Sequence, residues 1–162
     1  MGRSFFQNKD GQFVSVAYER EKTEDDGEDF VHGPQRLFVK NASITSVNKQ
    51  QSIVGVTSVR VALGNGTFLH RLYVVTAVSS SYMVVEYEKD GKSGNWTKLP
   101  SVIGPVLPGT RLAAQGWSNA TGPELYLFCQ DGMEGTKVSE WKTSGSGPWV
   151  SVGRIPGQVV IL

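Results

Sequence analysis

Three four-stranded sheets repeated around an axis, an all-β β-propeller with little or no helix, are what these 162 residues predict, and two observations carry that expectation. The first is a unit that recurs at about fifty residues, a period typical of propellers and other repeat architectures. Arg71-Leu72-Tyr73-Val74, Val85-Glu86-Tyr87 and Asn95-Trp96-Thr97 return, at nearly unchanged spacing, as Glu124-Leu125-Tyr126-Leu127, Ser139-Glu140-Trp141 and Pro148-Trp149-Val150. A weaker copy opens the chain with Arg3-Ser4-Phe5-Phe6 and Phe13-Val14-Ser15-Val16, and Phe30 takes the place of Trp96. The second observation is the texture of each copy. Short runs rich in Val, Tyr, Phe and Trp alternate apolar with polar and are divided by Gly, Asn, Asp and Ser, whereas no window sustains a period of 3.6.

The elements follow in chain order. The first copy starts at what reads as a second strand, Arg3 to Asn8. The acidic run Glu19 to Asp29 interrupts it as a solvated loop, lacking the alternating oxygen ligands of a calcium loop. A second insertion, Gln35 to Gln51, has strand character at Arg36 to Lys40. Four antiparallel strands are expected at Val59 to Leu63, Leu69 to Val75, Tyr82 to Tyr87 and Trp96 to Leu99, the last short and at the outer edge. Arg111 to Gln115, Glu124 to Cys129, Lys137 to Lys142 and Trp149 to Gly153 repeat the series. A small isolated sheet leaves both faces wet, so such units are stable only stacked on one another. The chain is thus read as one domain, residues 1–162, with blades at 1–51, 52–101 and 102–157. Residues 158–162, Gln-Val-Val-Ile-Leu, form a closing strand for the blade that begins at residue 1, in the same chain or a neighbour. A homodimer making a six-bladed ring is the expected arrangement, because it leaves no exposed edge.

Composition narrows the function. Hydrophobic residues make up 39% and charged residues 19%, ordinary for a soluble globular chain. A net charge of +1 argues against a nucleic-acid surface, and no apolar stretch is long enough to span a bilayer as a helix. Cys129, the single cysteine, reads as a buried strand residue. The only histidines, His32 and His70, lie in no catalytic or metal-binding motif, so neither a metal nor a cofactor is expected. Asn41, Asn65, Asn95 and Asn119 each begin an Asn-x-Ser/Thr acceptor, where roughly one would arise by chance, which points to glycosylation and secretion.

Arg3-Ser4-Phe5-Phe6-Gln7-Asn8 with Gly11-Gln12-Phe13, and Leu125-Tyr126-Leu127-Phe128-Cys129-Gln130-Asp131-Gly132 with Val138-Ser139-Glu140-Trp141, resemble the blade motifs of the fungal fucose-specific lectins. The resemblance covers most of the chain. It implies a six-bladed propeller that holds a sugar between blades by an arginine, a glutamate and an aromatic plane. Carried over copy by copy, Arg3 is kept in the first, but Ser15 and Phe30 replace the glutamate and tryptophan. Arg71, Glu86 and Trp96 are all present in the second. In the third, Glu140 and Trp149 remain while Glu124 takes the arginine position.

Two readings of function follow. One is a fucose-type lectin for a fucosylated glycan, its site centred on Arg71, Glu86 and Trp96, with Trp117 or Tyr73 as a second aromatic wall and Tyr87, Glu140, Trp141 and Trp149 as further binding candidates. The other, preferred narrowly on the eroded triads and the surplus of acceptor asparagines, is a secreted fungal enzyme of specialised metabolism. It would catalyse a cofactor-free cyclisation or hetero-Diels–Alder cycloaddition of a small apolar substrate, as the glycosylated enzymes of tropolone sesquiterpenoid pathways do. Arg71, His70 and Tyr73 would be its catalytic residues, with Tyr82 and Tyr87 nearby, acting as hydrogen-bond donors in an apolar pocket.

Overall fold

The computed structural model describes the backbone of residues 2–7, 13–20, 28–36, 38–39 and 42–43, and backbone and side chains of residues 55–64, 66–91, 95–131, 138–145 and 147–155. The closing strand expected at 158–162 and the acceptors Asn41 and Asn65 lie outside the described residues. Every described regular element is a strand, in three antiparallel meanders.

The first sheet is β1 (Gly2–Gln7), β2 (Phe13–Arg20) and β3 (Glu28–Arg36). Pairing of Glu19 with Asp29 and Arg20 with Glu28 shows that both ends of the acidic run are strand rather than loop. A short hairpin follows, β4 (Phe38–Val39) and β5 (Ala42–Ser43).

The second sheet carries β6 (Val56–Gly64), β7 (Thr67–Val78), β8 (Ser81–Lys89) and β9 (Trp96–Val106). The small hairpin extends it, since Val39 pairs in parallel with Trp96 and the strand order becomes β5-β4-β9-β8-β7-β6. So β9 is neither short nor the outer edge, contrary to the expectation from the sequence. It continues past Leu99 because Val102 and Ile103 pair again with Val85 and Val84, and Ile103 is buried. Between Tyr87↔Lys98 and Val85↔Val102, β9 advances four residues against two on β8. Leu99, Pro100 and Ser101 therefore bulge opposite Glu86. A proline, which has no N–H to give a ladder, suits that place.

The third sheet is β10 (Ala113–Asn119), β11 (Gly122–Gln130), β12 (Val138–Ser144) and β13 (Val150–Arg154), in that order. The link from the second sheet is stitched to β11: Leu107 N donates to the Gln130 carbonyl at 2.9 Å, and Gln130 N donates to Thr110 Oγ1 at 2.8 Å. Thr110 is itself buried.

The second and third sheets face one another across a core. Side chains of a strand alternate between faces, so Tyr73, Val75 and Val84 of the second sheet, with Ile103 and Val106, meet Leu127 and Cys129 of the third. Val59, Leu112, Ala114, Trp141 and Trp149 close its margins. The inner strands β6 and β10 come close together. A Cβ on Gly116 would lie 2.9 Å from Val61 Cγ2 and 2.7 Å from Leu125 Cδ2, so only glycine permits the approach. Burial pushes the Cys129 thiol up to about 12, Asp131 raises it further and the Trp141 indole opposes them, consistent with a buried structural cysteine.

Candidate functional site

The polar rim of that seam is where the repeat places its charged residues. Arg71 and Tyr73 lie on one face of β7, and cross-strand pairing sets Glu88 opposite Arg71 and Glu86 opposite Tyr73. Four side chains of opposite charge and hydrogen-bonding character thus share one face. Arg71 and Glu86 are nearly sequestered, 5% and 4% exposed. A buried carboxylate needs partners for its lone pairs, and Glu86 has them. Tyr73 Oη donates to Oε1 at 3.3 Å, Ser101 Oγ to Oε2 at 2.6 Å and Trp149 Nε1 to Oε2 at 3.0 Å. Burial, followed by the Glu86 charge, drives the Tyr73 hydroxyl well above the usual phenol range, so it stays a neutral donor.

Trp149 comes from the third sheet. Its indole meets the Tyr73 ring edge to face, with centroids 5.6 Å apart at 89°. The turn before it is fixed by Thr143 Oγ1 donating to the Gly147 carbonyl at 2.7 Å, Gly147 N to the Ser144 carbonyl at 3.0 Å and Gly145 N to the Pro123 carbonyl at 2.7 Å. Gly145 adopts φ +61°, the left-handed region in which glycine carries no penalty.

Between the two sheets opens a cleft of about 470 Å³. The second sheet gives it Arg71, Glu86, Glu88 and the bulge Leu99–Ser101. The third gives Thr143, Gly145, Gly147 and Pro148. Arg71 is the unusual member. Its Nε lies 3.7 Å from Glu86 Oε1 and its Nη1 2.8 Å from Glu88 Oε2, both ion-pair contacts. Yet among the described residues neither nitrogen finds a hydrogen bond of adequate geometry, and both are buried. Buried donors left in that state are costly, which marks them as groups awaiting an acceptor.

The structure brings together Arg71, Tyr73, Glu86 and Trp149 from the residues singled out in the sequence, and places the others elsewhere. His70 and Tyr87 sit on the opposite face of the second sheet, since each is one residue from a cleft residue on its strand. His70 packs edge to face on Phe68, centroids 6.4 Å apart. Trp96, buried and paired with Lys89, belongs to that opposite face too, so the aromatic partner of Arg71 and Glu86 is Trp149 of the following copy. Tyr82 and Trp141 pack against the core. Trp117 stacks on Tyr126, centroids 4.9 Å apart at 19°, on the face of the third sheet turned away from the cleft. Glu140, opposite Phe128, lies on that same face.

Register also changes which residues correspond. Tyr73 pairs with Glu86, and its counterpart Tyr126 pairs with Lys142, so the equivalent of Glu86 in the third sheet is Lys142 and not Glu140. The Arg71–Glu86 pair is replaced there by Glu124 and Lys142, a salt bridge of 3.3 Å with the charges exchanged. Glu88, Ser101 and Thr143 were not expected at the site. Glu88 could have been, two residues beyond Glu86 on the same strand face. Ser101 enters only through the bulge. Asn95 and Asn119 are exposed, and Asn119 Oδ1 accepts from Thr121 N at 2.9 Å and Thr121 Oγ1 at 2.7 Å in the β10–β11 turn.

Comparison with known proteins agrees with this architecture. The family model described as fungal fucose-specific lectin matches residues 2–156. Among solved structures, the chain is similar to a fucose-specific lectin from Aleuria aurantia, in a mercury-derivative form, at 20% identity and a TM-score of 0.53. The match covers 93% of this chain and 45% of that one, so the chain spans about half the length of that β-propeller. No curated protein matches.

Proposed function

Since the chain belongs to the fungal fucose-specific lectin family, we propose that the cleft at the seam is a carbohydrate site for a fucose-type sugar on a glycan, with no chemical step. One observation carries this reading: Arg71, buried in the wall of the cleft, has two N–H groups in ion-pair contact with carboxylates but without a hydrogen bond of adequate geometry among the described residues. Sugar hydroxyls are acceptors of the right kind, and charge-assisted bonds from a guanidinium are strong. Leu99, Pro100 and Pro148 supply apolar wall for the C–H face of the ring, and Trp149, held by Glu86 and Tyr73, anchors the segment that carries Pro148. The cycloaddition reading gains nothing from the family or the fold. Three charged side chains in the wall suit hydroxyl recognition better than an apolar substrate.

Titration calorimetry with L-fucose tests the reading. The unmutated protein is expected to bind, and Arg71→Ala to weaken binding by about ten- to a hundredfold, the loss of a charged hydrogen-bonding partner. Absence of binding by the unmutated protein to L-fucose and to a fucosylated glycan array would remove the sugar reading.

The finer architecture belongs to the same proposal. Three repeats, of which two face each other as the second and third sheets do, make half of a six-bladed ring, and pairing of two chains completes it. Sedimentation equilibrium should then report a dimer.

A further inference from the structure

We infer that Glu88, rather than Glu86, is the carboxylate that meets the ligand, and that it makes the cleft select against sugars bearing a carboxylate. This rests on the carbohydrate reading of the cleft. A carboxylate offers about four lone-pair positions. Glu86 spends three of them on Tyr73, Ser101 and Trp149, and its side chain is 5% exposed. It is a positioning residue, fixing the indole of Trp149 and the guanidinium of Arg71 from behind. Glu88 stands directly across the ladder from Arg71, shares the wall of the cleft, and has a side chain 42% exposed. Arg71 Nη1, 2.8 Å from Glu88 Oε2, is its partner among the described residues, and Oε1 has none there. A ligand hydroxyl lying beside the pair can accept from Arg71 and donate to Glu88 Oε1.

The charge of the wall follows from the same side chains. Among the described residues of the wall, one guanidinium stands against two carboxylates and the rest are uncharged, so these side chains carry one negative charge in excess. At a partly desolvated site, a like charge brought within a few ångströms is disfavoured by a free energy that corresponds to about tenfold or more in affinity. Uncharged and amino sugars are therefore accepted and uronic acids excluded.

L-Galactose and L-galacturonate, which share the ring configuration of L-fucose and differ from each other only in a hydroxymethyl or carboxylate group, separate the possibilities in calorimetry on the full chain. The unmutated protein is expected to prefer L-galactose at least about tenfold. Glu88→Gln, which keeps the shape of a half-exposed side chain, should weaken L-fucose several-fold, as a charge-assisted bond becomes a neutral one. It should also bring the galactose-to-galacturonate ratio close to one. If L-fucose binds equally well to Glu88→Gln, or if the unmutated protein takes L-galacturonate as readily as L-galactose, the inference is overturned while the carbohydrate reading stands. Failure of all three sugars to bind the unmutated protein would overturn both.

Discussion

The second and third sheets are built on one repeat and treat it differently. In the second, β7 is buried on both faces from Arg71 to Val75, so an arginine and a glutamate are held out of water beside a cleft. In the third, β11 buries Leu125, Leu127 and Cys129 but leaves Tyr126 and Phe128 half-buried on the other face. There the same tyrosine lies between Glu124 and Lys142, with Lys142 Nζ 5.3 Å from its ring centroid and Trp117 stacked on it. The tyrosine is common to both sheets, and the charges around it are what differ. Inverting the pair keeps the strand register and the electrostatic balance while discarding the buried donors that would greet a ligand.

Exchanging the two patterns is the sharpest way to break this comparison. Arg71→Glu combined with Glu86→Lys places an ammonium against Ser101 Oγ and Trp149 Nε1, two groups that now donate to a carboxylate. It is expected to cost about 3–5 kcal/mol in urea unfolding, the range for disrupting a buried ion pair. A loss under about 1 kcal/mol would mean that the seam is as forgiving as the outer face.

The apolar side of the third sheet predicts a pH effect of intermediate size. Cys129 titrates near 9 when unfolded and at about 12 in the fold, so its contribution is intact below pH 9 and is lost as pH rises toward 12, where the unfolded chain holds fewer protons. About 2 kcal/mol should disappear between pH 8 and 10.5, with Tyr73 adding to the loss above 10. Cys129→Val should flatten the slope. Chemical denaturation at the two pH values measures both.

The smallest effect is expected for the reciprocal exchange, Glu124→Arg with Lys142→Glu. In the single chain these side chains are 19% and 36% exposed, and below the concentration at which two chains pair, restoring the opposite polarity should change stability by less than about 0.5 kcal/mol. It should also leave fucose affinity unaltered. A shift of more than 1 kcal/mol in thermal unfolding that persists in the unpaired chain would show that this face is not the exposed one.

Much of this was legible beforehand, and what was not has identifiable causes. Apart from β9, which runs seven residues past its expected end at Leu99, the repeat and the alternation placed the strands of the second and third sheets within a few residues, because period-2 burial is written directly into Leu125, Leu127 and Cys129. Arg71 and Glu86 could be singled out by type and spacing. Their partner could not be taken from within one copy: the pleat sends Trp96 to the far face, and the site is assembled across two copies, which makes Trp149 the neighbour. The equivalence of Glu86 with Lys142 was hidden because the hairpins differ in length, and only cross-strand pairing reveals it. The bulge that delivers Ser101 has no clear signature beyond Pro100. The β4–β5 addition to β9 depends on a single long-range parallel bridge, which local patterning does not encode.

That addition has a consequence for how these molecules behave when crowded. A naked outermost strand offers its amides to any passing strand, and proteins commonly blunt such a rim. The two-residue pieces at Phe38–Val39 and Ala42–Ser43 blunt the one beside Trp96. Arg154, Val152 and Val150 have no such guard among the described residues, and the two valines are 56% and 60% exposed. Self-association through strand addition would therefore begin at β13.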